Sequence, residues 1–382
     1  MTAFGRKLRP DFLLQADGIF LNNGSFGSVP APVRAAQQAW RDTVETQPDI
    51  FFRETIYTAT RAAAARLARL CGTSGDALVF TPNVTEAVAV VLAAMDFHDG
   101  DEILLLDVAY AAVRRAVDVT CRRTGATVRT IPTGLQMTPA ADAEGLKAGL
   151  TPRTRLVILD HIVSPTAQRV PVEDLLPLAK AHGARVFIDG AHALGQAMLN
   201  LDALGADWYA TNAHKWLFTP RGSCVLYAGP EVRAVTRPAI VSHYYEDAYP
   251  RNFDYVGTRD VTAYLAAADG ADYLDSLGLE NLTAHRAALI AAANAALGKF
   301  GATLVTPHAP ALAAWALPQS READPADGLA LMKSLWDEAK IQTAANLTHG
   351  RLLLRLSLHA YVDFEDIAAL AAALDRLGWP GR

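Results

Sequence analysis

The chain has 382 residues, 51% of them hydrophobic and 20% charged, with a formal net charge of −5, enough length and apolar content to bury a large core and divide into two domains. The acidic balance and the lack of a Lys/Arg cluster exclude a nucleic-acid binder, which needs concentrated positive charge against phosphates. No apolar run reaches the ~20 residues of a membrane span, and the opening stretch, MTAFGRKLRPDFLLQADG, lacks the apolar core of a secretory signal.

Residues 1–20 read as an N-terminal segment. Residues 19–30, IFLNNGSFGSVP, are a Gly/Asn/Ser-rich turn, and Pro32 opens a helix through Trp40. Asn22 and Asn23 either close turns here or face a substrate. Residues 58–70, TATRAAAARLARL, have the Ala/Leu content and outward Arg of a helix. A strand at 77–80, a turn at Thr81-Pro82-Asn83 and a helix over 84–95 follow, with Thr85 and Glu86 in its first turn. The open N–H groups and positive dipole of such a helix start cradle a phosphate when a Thr hydroxyl joins them; a plain cap by Asn83 or Thr81 accounts for the same pattern. Neither G-x-x-x-x-G-K-[ST] nor G-x-G-x-x-G after a strand is present, so nucleotide readings lack their fingerprint.

Strands at 102–106, 127–131, 155–160 and 185–189 then alternate with helices at 112–123 and 172–182. Near-continuous apolar strands separated by helices predict a mostly parallel sheet covered on both faces. Ligands of such sheets sit outside the carboxyl ends of the strands. Polar residues there include Tyr110, the cluster DHIVSPT at 160–166 with Ser164, and the stretch 186–227, which reads VFIDGAHALGQ, DWYATNAHKWLFTP and RGSCVLY. An Asp at one strand end, Asp189, and a Lys about 26 positions later, Lys215, are what pyridoxal phosphate needs. The Lys amine forms a Schiff base with the aldehyde, and the Asp carboxylate keeps the pyridine nitrogen protonated. The ordinary alternative is a helix-capping Asp and a solvated Lys. Lys215, however, lies between His214 and Trp216 among apolar residues, and a Lys kept from water has a lowered pKa and becomes a nucleophile.

Beyond residue 227 the pattern changes. The aromatic stretch 241–260 is too long for a simple connection, so it is read as functional or interfacial; Tyr244, Tyr245, Tyr249 and Phe253 line a pocket or pack a dimer interface. A helical region over 261–300 breaks near Ser276-Leu277-Gly278. Strands near 302–305, 311–316, 341–343 and 351–358 and helices near 326–339 and 364–377 make a small α+β domain, dividing the chain into 21–262 and 263–382. Arg355, set in RLLLRLSLH, needs a partner: a substrate carboxylate in a bidentate fork, or an internal Asp or Glu. Cys71, Cys121 and Cys224 form no C-x-x-C pair, and the ten histidines include no H-E-x-x-H, so no metal is expected. The thiols read as reduced and buried in a cytoplasmic protein.

Taken together, D-G-A-H from Asp189, H-K at His214-Lys215 before a Gly-rich turn and strand, T-E at Thr85-Glu86 and R-L-S in the small domain resemble the class V aminotransferase family of fold-type I pyridoxal phosphate enzymes. L-N-x-G-S-F-G at 21–27, D-H-x-x-S-P-T at 160–166 and G-T-R-D at 257–260 are similar to its isopenicillin N epimerase-like branch. The resemblance implies an α/β fold with a mostly parallel sheet plus a smaller C-terminal α+β domain. It implies Lys215 as the cofactor-bonding lysine, Asp189 as the pyridinium partner and His192 at the cofactor's phenolic oxygen. Thr85 with the backbone of Val84, together with Asn212 and His214, would hold the phosphate, and Tyr110 would stack on the ring. Arg355 would clamp the α-carboxylate, with Asn23 and Ser164 facing the substrate; the branch commonly has His where Asn23 stands. Thr258, beside Gly257, would reach the phosphate of a neighbouring subunit, which implies a homodimer with shared sites. No Cys follows Cys224, so a persulfide-forming thiol on a small-domain loop is not expected.

The implied reaction starts when Lys215 takes the Cα proton of an amino acid held by Arg355. Reprotonation from the opposite face, by Tyr110, His161 or His243, makes an epimerase or racemase, which ranks first. Loss of a β-substituent makes a C–S lyase, and protonation at the cofactor's C4′ an aminotransferase. Outside the enzymes, the alternative is a pyridoxal phosphate-binding regulator, which lacks its expected DNA-binding extension ahead of the motif at 21–27.

Overall fold

Strands that are hydrophobic on both faces must be covered on both faces, and that requirement organises the molecule. In the computed structural model, which describes residues 4–379, the first strands in chain order are β1 (Ile19–Phe20), β2 (Leu78–Thr81), β3 (Glu102–Leu106), β4 (Thr127–Ile131), β5 (Thr154–Asp160), β6 (Arg185–Asp189), β7 (Trp208–Thr211) and β8 (Cys224–Ala228). They are followed by β9 (Thr303–Leu304), β10 (Leu312–Ala316), β11 (Ile341–Gln342), β12 (Ala344–Thr348) and β13 (Arg351–Ser357). Seven strands form one sheet in the order β2-β8-β7-β6-β5-β3-β4. Only β8 runs against its neighbours; the rest of this sheet is parallel. A smaller antiparallel sheet, β12-β13-β10-β9, follows in the C-terminal part. The expected fold class is found: an α/β fold with a mostly parallel sheet and a smaller C-terminal α+β unit.

Two apolar cores lie against the two faces of the large sheet. Along β5, Leu156 and Ile158 belong to one core and Val157 and Leu159 to the other; along β6, Phe187 and Ile188 divide in the same way. This period-2 alternation has a consequence at the strand ends. Asp160 is paired in register with Asp189, and alternation turns both toward the side of Leu156, Ile158 and Phe187. The helices Val84–Ala94 and Ala111–Thr124 cover that side, contributing Val84, Val88, Val91, Val113 and Val117.

The structure differs from the sequence reading in several places. A helix at Pro139–Gly149 follows β4, where the Gly- and Ala-rich PAADAEGLKAG offers almost no amphipathic stripe to read. β1 falls inside the stretch read as a turn and pairs in parallel with β11, while the single strand expected near 341–343 is two, β11 and β12. The N-terminal segment packs on the C-terminal part: Gly5 N donates to Ala360 O at 2.8 Å and Arg9 pairs with the buried Asp366. All three cysteines are buried and free. No helix among the described residues is long and apolar enough to cross a membrane.

Candidate active site

Turns at the carboxyl ends of β2, β3, β5, β6 and β7 open onto one cavity of about 140 Å³. Its walls include Thr85, Tyr110, Asp160, Ser164, Asp189, His192, Asn212, His214 and Lys215. Roomier hollows exist, one of about 560 Å³ beside Arg41 and Thr258, but this one gathers the titratable groups whose surroundings perturb them, which marks functional sites.

Lys215 projects from the one-turn helix Ala213–Trp216, which begins where β7 ends. Burial, with the Arg355 charge second, pushes its ammonium down to about 8, while Asp189 pulls in the opposite direction. Its Nζ lies 3.2 Å from His192 Nε2. On the far side of that imidazole, Trp216 Nε1 donates to His192 Nδ1 at 3.4 Å. Burial holds the His192 imidazolium well below its ordinary pKa, and the charges of Lys215 and Arg355 add to the effect.

The helix is seated by the turn at 21–27. Gly27 has φ +70° and packs so closely that a Cβ there would lie 1.7 Å from His214 O, so glycine is required. Asn23 Nδ2 donates to Lys215 O at 2.6 Å, while its Oδ1 accepts from Ser28 Oγ and Tyr361 OH at 2.9 and 3.0 Å. Asn23 is fully buried. It therefore does not face the cavity, contrary to the expectation from the motif that it faces a substrate; its polar atoms are spent on holding the backbone of Lys215. Asn22, its neighbour, makes the outward contact instead.

Two carboxyl groups form the floor. Asp189 accepts from Ala191 N at 2.9 Å; burial raises its pKa, against the pull of that N–H and of Lys215. Asp160 is raised well above the usual carboxylate range by burial first and by the Asp189 charge second. Two adjacent buried carboxyls do not both ionise readily.

At another wall, Asn83 caps the helix Val84–Ala94, its Oδ1 accepting from Glu86 N at 2.9 Å. Val84 N donates to Asn212 Oδ1 at 3.1 Å, so Val84 and Asn212 are tied to one another. Thr85 is exposed to the cavity, and its N–H has no acceptor among the described residues. His214 Nδ1 lies 2.8 Å from Ser223 O, which leaves Nε2 as the free ring nitrogen. Burial keeps that imidazole down to about 4. A free N–H at a helix start favours an anion.

Arg355, in β13, is 5% exposed and has only neutral partners among the described residues. Its Nη1 donates to Ser164 O at 2.6 Å and to Ser164 Oγ at 3.1 Å; its Nη2 donates to Ser25 Oγ at 3.0 Å and Asn22 Oδ1 at 3.3 Å. The buried Nε has no partner, and burial pushes the guanidinium down to about 10. Of the two alternatives left open by sequence, no internal acid among the described residues occupies the fork. Ser25 and Ser164 line the cavity, so Arg355 presents a positive charge through them.

Other expected residues lie elsewhere. His161 follows Asp160 and so points to the opposite face, where its Nδ1 meets Tyr209 OH at 2.7 Å. It lines a different hollow, beside Glu173 and Met198, and is no acid for this cavity. His243 is exposed and tilted against Tyr255. Tyr249 OH is spent on Ala77 O and Leu226 O, and Phe253 belongs to the core. Thr258 is exposed beside the hollow at Arg41 and does not line its own chain's cavity. The sequence reading placed Asp160 in the polar cluster at the strand ends but missed its pairing with Asp189, and it missed Trp216 as the partner of His192; strand register at Asp160 and the adjacency of Trp216 to Lys215 were the available signals.

The assembled groups are a buried amine whose ammonium is pushed down to about 8, a pair of buried carboxyls raised by burial, a helix start with an open N–H and a guanidinium without an ion-pair partner among the described residues. They suit proton transfer on a carboxylate-bearing molecule. The sequence profile of the family described as Aminotransferase class-V matches residues 51–370. The chain is 32% identical to isopenicillin N epimerase of Streptomyces clavuligerus over 392 residues, 97% of each chain. It is 32% identical to putative L-cysteine desulfhydrase 1 of Oryza sativa subsp. japonica over 301 residues, 72% of this chain and 62% of that one. A solved structure of the cystine C–S lyase C-DES with its product cysteine persulfide superposes with a TM-score of 0.83, covering 96% of this chain and 99% of that one at 24% identity.

Proposed function

Because the chain belongs to the aminotransferase class-V family, whose enzymes depend on pyridoxal phosphate, we propose that it is an amino-acid epimerase or racemase acting at the Cα of its substrate. The residues fit that cofactor. Thr85 keeps an unclaimed N–H at a helix start for a phosphate. Asp189 offers a buried carboxylate for the ring nitrogen, and Lys215 a deprotonatable amine in the same cavity. Tyr110, 48% exposed at the cavity mouth, suits a ring-facing aromatic. Once bound, pyridoxal phosphate supplies an electron-withdrawing ring that acidifies the bonds at the Cα of an amino acid.

The observation that carries the reading is the buried Arg355 with no carboxylate partner among the described residues. A buried cation without a counter-charge is costly, and a substrate α-carboxylate provides one. In this proposal the carboxylate takes the Nη fork, with Ser164 Oγ as a further donor, and this contact orients the Cα–H bond toward Lys215 Nζ. The neutral amine of Lys215 takes the proton. The Tyr110 hydroxyl returns one from the opposite side. None of the three cysteines lines the cavity, so the reading uses no protein thiol. The near full-length match to an epimerase supports this choice over the others.

A β-eliminating C–S lyase acting on a sulfur amino acid is the second reading, supported by the desulfhydrase match. Proton NMR of amino-acid panels in heavy water with the cofactor-loaded protein separates the two. Loss of the Cα signal from an intact amino acid, with its mirror image appearing on a chiral column, is expected. A keto acid with a released thiol overturns the epimerase reading in favour of the lyase. We further infer a homodimer in which Thr258 reaches the phosphate site of the second copy, since it stands outside the cavity of its own chain; light scattering that finds a monomer overturns this.

A further inference from the structure

We propose that Trp216 is a positioning residue: its indole N–H holds His192 in the one neutral tautomer whose Nε2 proton points at Lys215 Nζ and into the cavity.

Indole Nε1–H is a donor only. It reaches His192 Nδ1 at 3.4 Å, so Nδ1 must present its lone pair, and a neutral imidazole must then carry its proton on Nε2. Nε2 lies 3.2 Å from Lys215 Nζ. An Nε2–H facing Nζ requires the amine to accept, which an ammonium does not do. Trp216 donating and His192 carrying its proton on Nε2 are therefore consistent with Lys215 in its neutral form, which takes over above about pH 8. The opposite tautomer would set two N–H groups against each other at Nδ1 and leave His192 with no proton to offer the cavity.

The indole itself is held from several sides. Trp216 is fully buried. A Cβ on Gly24 would lie 3.1 Å from its Cζ2, so there is little room for the ring to shift that way. The His359 ring stands 5.4 Å from the indole. The loop carrying His192 is pinned to the same residue: Gly195, at φ +89°, approaches so closely that a Cβ would sit 2.4 Å from Trp216 O. Arg286, from the helix Leu279–Gly298, donates to Gly195 O at 3.0 Å. Indole and imidazole are thus both fixed by packing, as a group that selects a tautomer must be. Trp216 does not line the cavity, so it acts only through His192.

That the Nε2 proton meets a cofactor oxygen rests on the proposed function; the tautomer does not. The first test therefore uses the cofactor-free protein labelled with 15N-histidine. Two-bond proton–nitrogen correlation, with the His192 signal identified by its loss in His192→Gln, is expected to find Nδ1 bare and Nε2 protonated. Trp216→Phe, which keeps an aromatic ring and removes only the donor, should mix the two tautomers. A wild-type His192 protonated at Nδ1, or a tautomer unchanged in Trp216→Phe, overturns the proposal, and the wild-type spectrum decides even where the variant fails to fold. The second test follows the absorbance of the cofactor-loaded protein against pH. Losing the donor leaves more negative charge on the ring oxygen, so the titration of the lysine-bound chromophore in Trp216→Phe should move upward by about one pH unit or less, the worth of one hydrogen bond. In a His192→Gln background, where no tautomer exists to select, Trp216→Phe should produce no further shift; an undiminished shift there means packing alone and overturns the proposal. A wild-type protein that forms no chromophore sinks the cofactor reading, and the NMR result still decides the tautomer.

Discussion

Asp160 and Asp189 stand side by side at the carboxyl ends of neighbouring parallel strands, paired in register and only 3% and 4% exposed. Burial raises both carboxyls, and the charge of Asp189 raises Asp160 further. The pair is thus the acidic floor of the cavity and a cost to the fold whenever both groups are asked to ionise.

That cost has a sign in pH. A carboxyl whose folded pKa is raised holds its proton more tightly folded than unfolded, so stability falls as pH climbs above the ordinary carboxylate range and is unaffected below it. Asp160→Asn removes the titrating group. The cofactor-free variant should melt above wild type at about pH 8, and the gap should close as pH nears about 4. Thermal melts across that range check it; a gap independent of pH would exclude Asp160 as the group responsible.

Arg355→Met should separate stability from function. It removes a buried cation with no counter-charge among the described residues, so the substrate-free variant should melt at or above the wild-type temperature. Loss of a charge-assisted fork worth about 1.5–3 kcal/mol should raise KM about 10- to 150-fold. Steady-state kinetics beside melting curves test both halves. A lowered melting temperature with an unchanged KM would make Arg355 a structural residue.

Gly27→Ala should damage the site although Gly27 itself does not line the cavity. The new Cβ would meet His214 O at 1.7 Å, on a backbone with φ +70°, and the one-turn helix carrying Lys215 would have to move. The expected loss is about 3 kcal/mol or more of stability, together with cofactor affinity. Denaturant unfolding and cofactor titration measure the two. Wild-type values for both would mean that the turn at 21–27 yields readily.

Lys215→Ala should abolish the borohydride-reducible adduct with pyridoxal phosphate and lower kcat by about 10²- to 10⁴-fold, the usual worth of a positioned base. Peptide mapping after reduction is the check. An adduct persisting at the same site would move the role to another amine.

Much of the site was legible because its residues sit in short contiguous patterns with local causes. Asp189-Gly190-Ala191-His192 and His214-Lys215 follow apolar runs that can only be buried strands, and the carboxyl ends of such strands are where ligands sit. Asn83-Val84-Thr85 announces a helix start by its cap. Less legible were the directions in which side chains point. Asn23 and Asn22 are equivalent by composition, yet one is buried under Lys215 and the other reaches Arg355. Asp160 and His161 are adjacent polar residues, and the pleat sends them to opposite faces. The helix Pro139–Gly149 carried too weak an apolar stripe to be seen.

By itself the sequence determined the family and the α/β alternation and singled out Lys215 as the candidate lysine, because these follow from local hydrophobic period and from residues whose spacing along one chain is their signature. Only the tertiary structure decided that Asp160 lies against Asp189, that Arg355 meets no acid among the described residues, and that Trp216 reaches across His192 to Lys215. Those relationships join segments far apart in sequence, through register between strands and through packing in three dimensions. No local pattern encodes them, since the same residues at the same positions would point elsewhere if one strand slipped by a single residue.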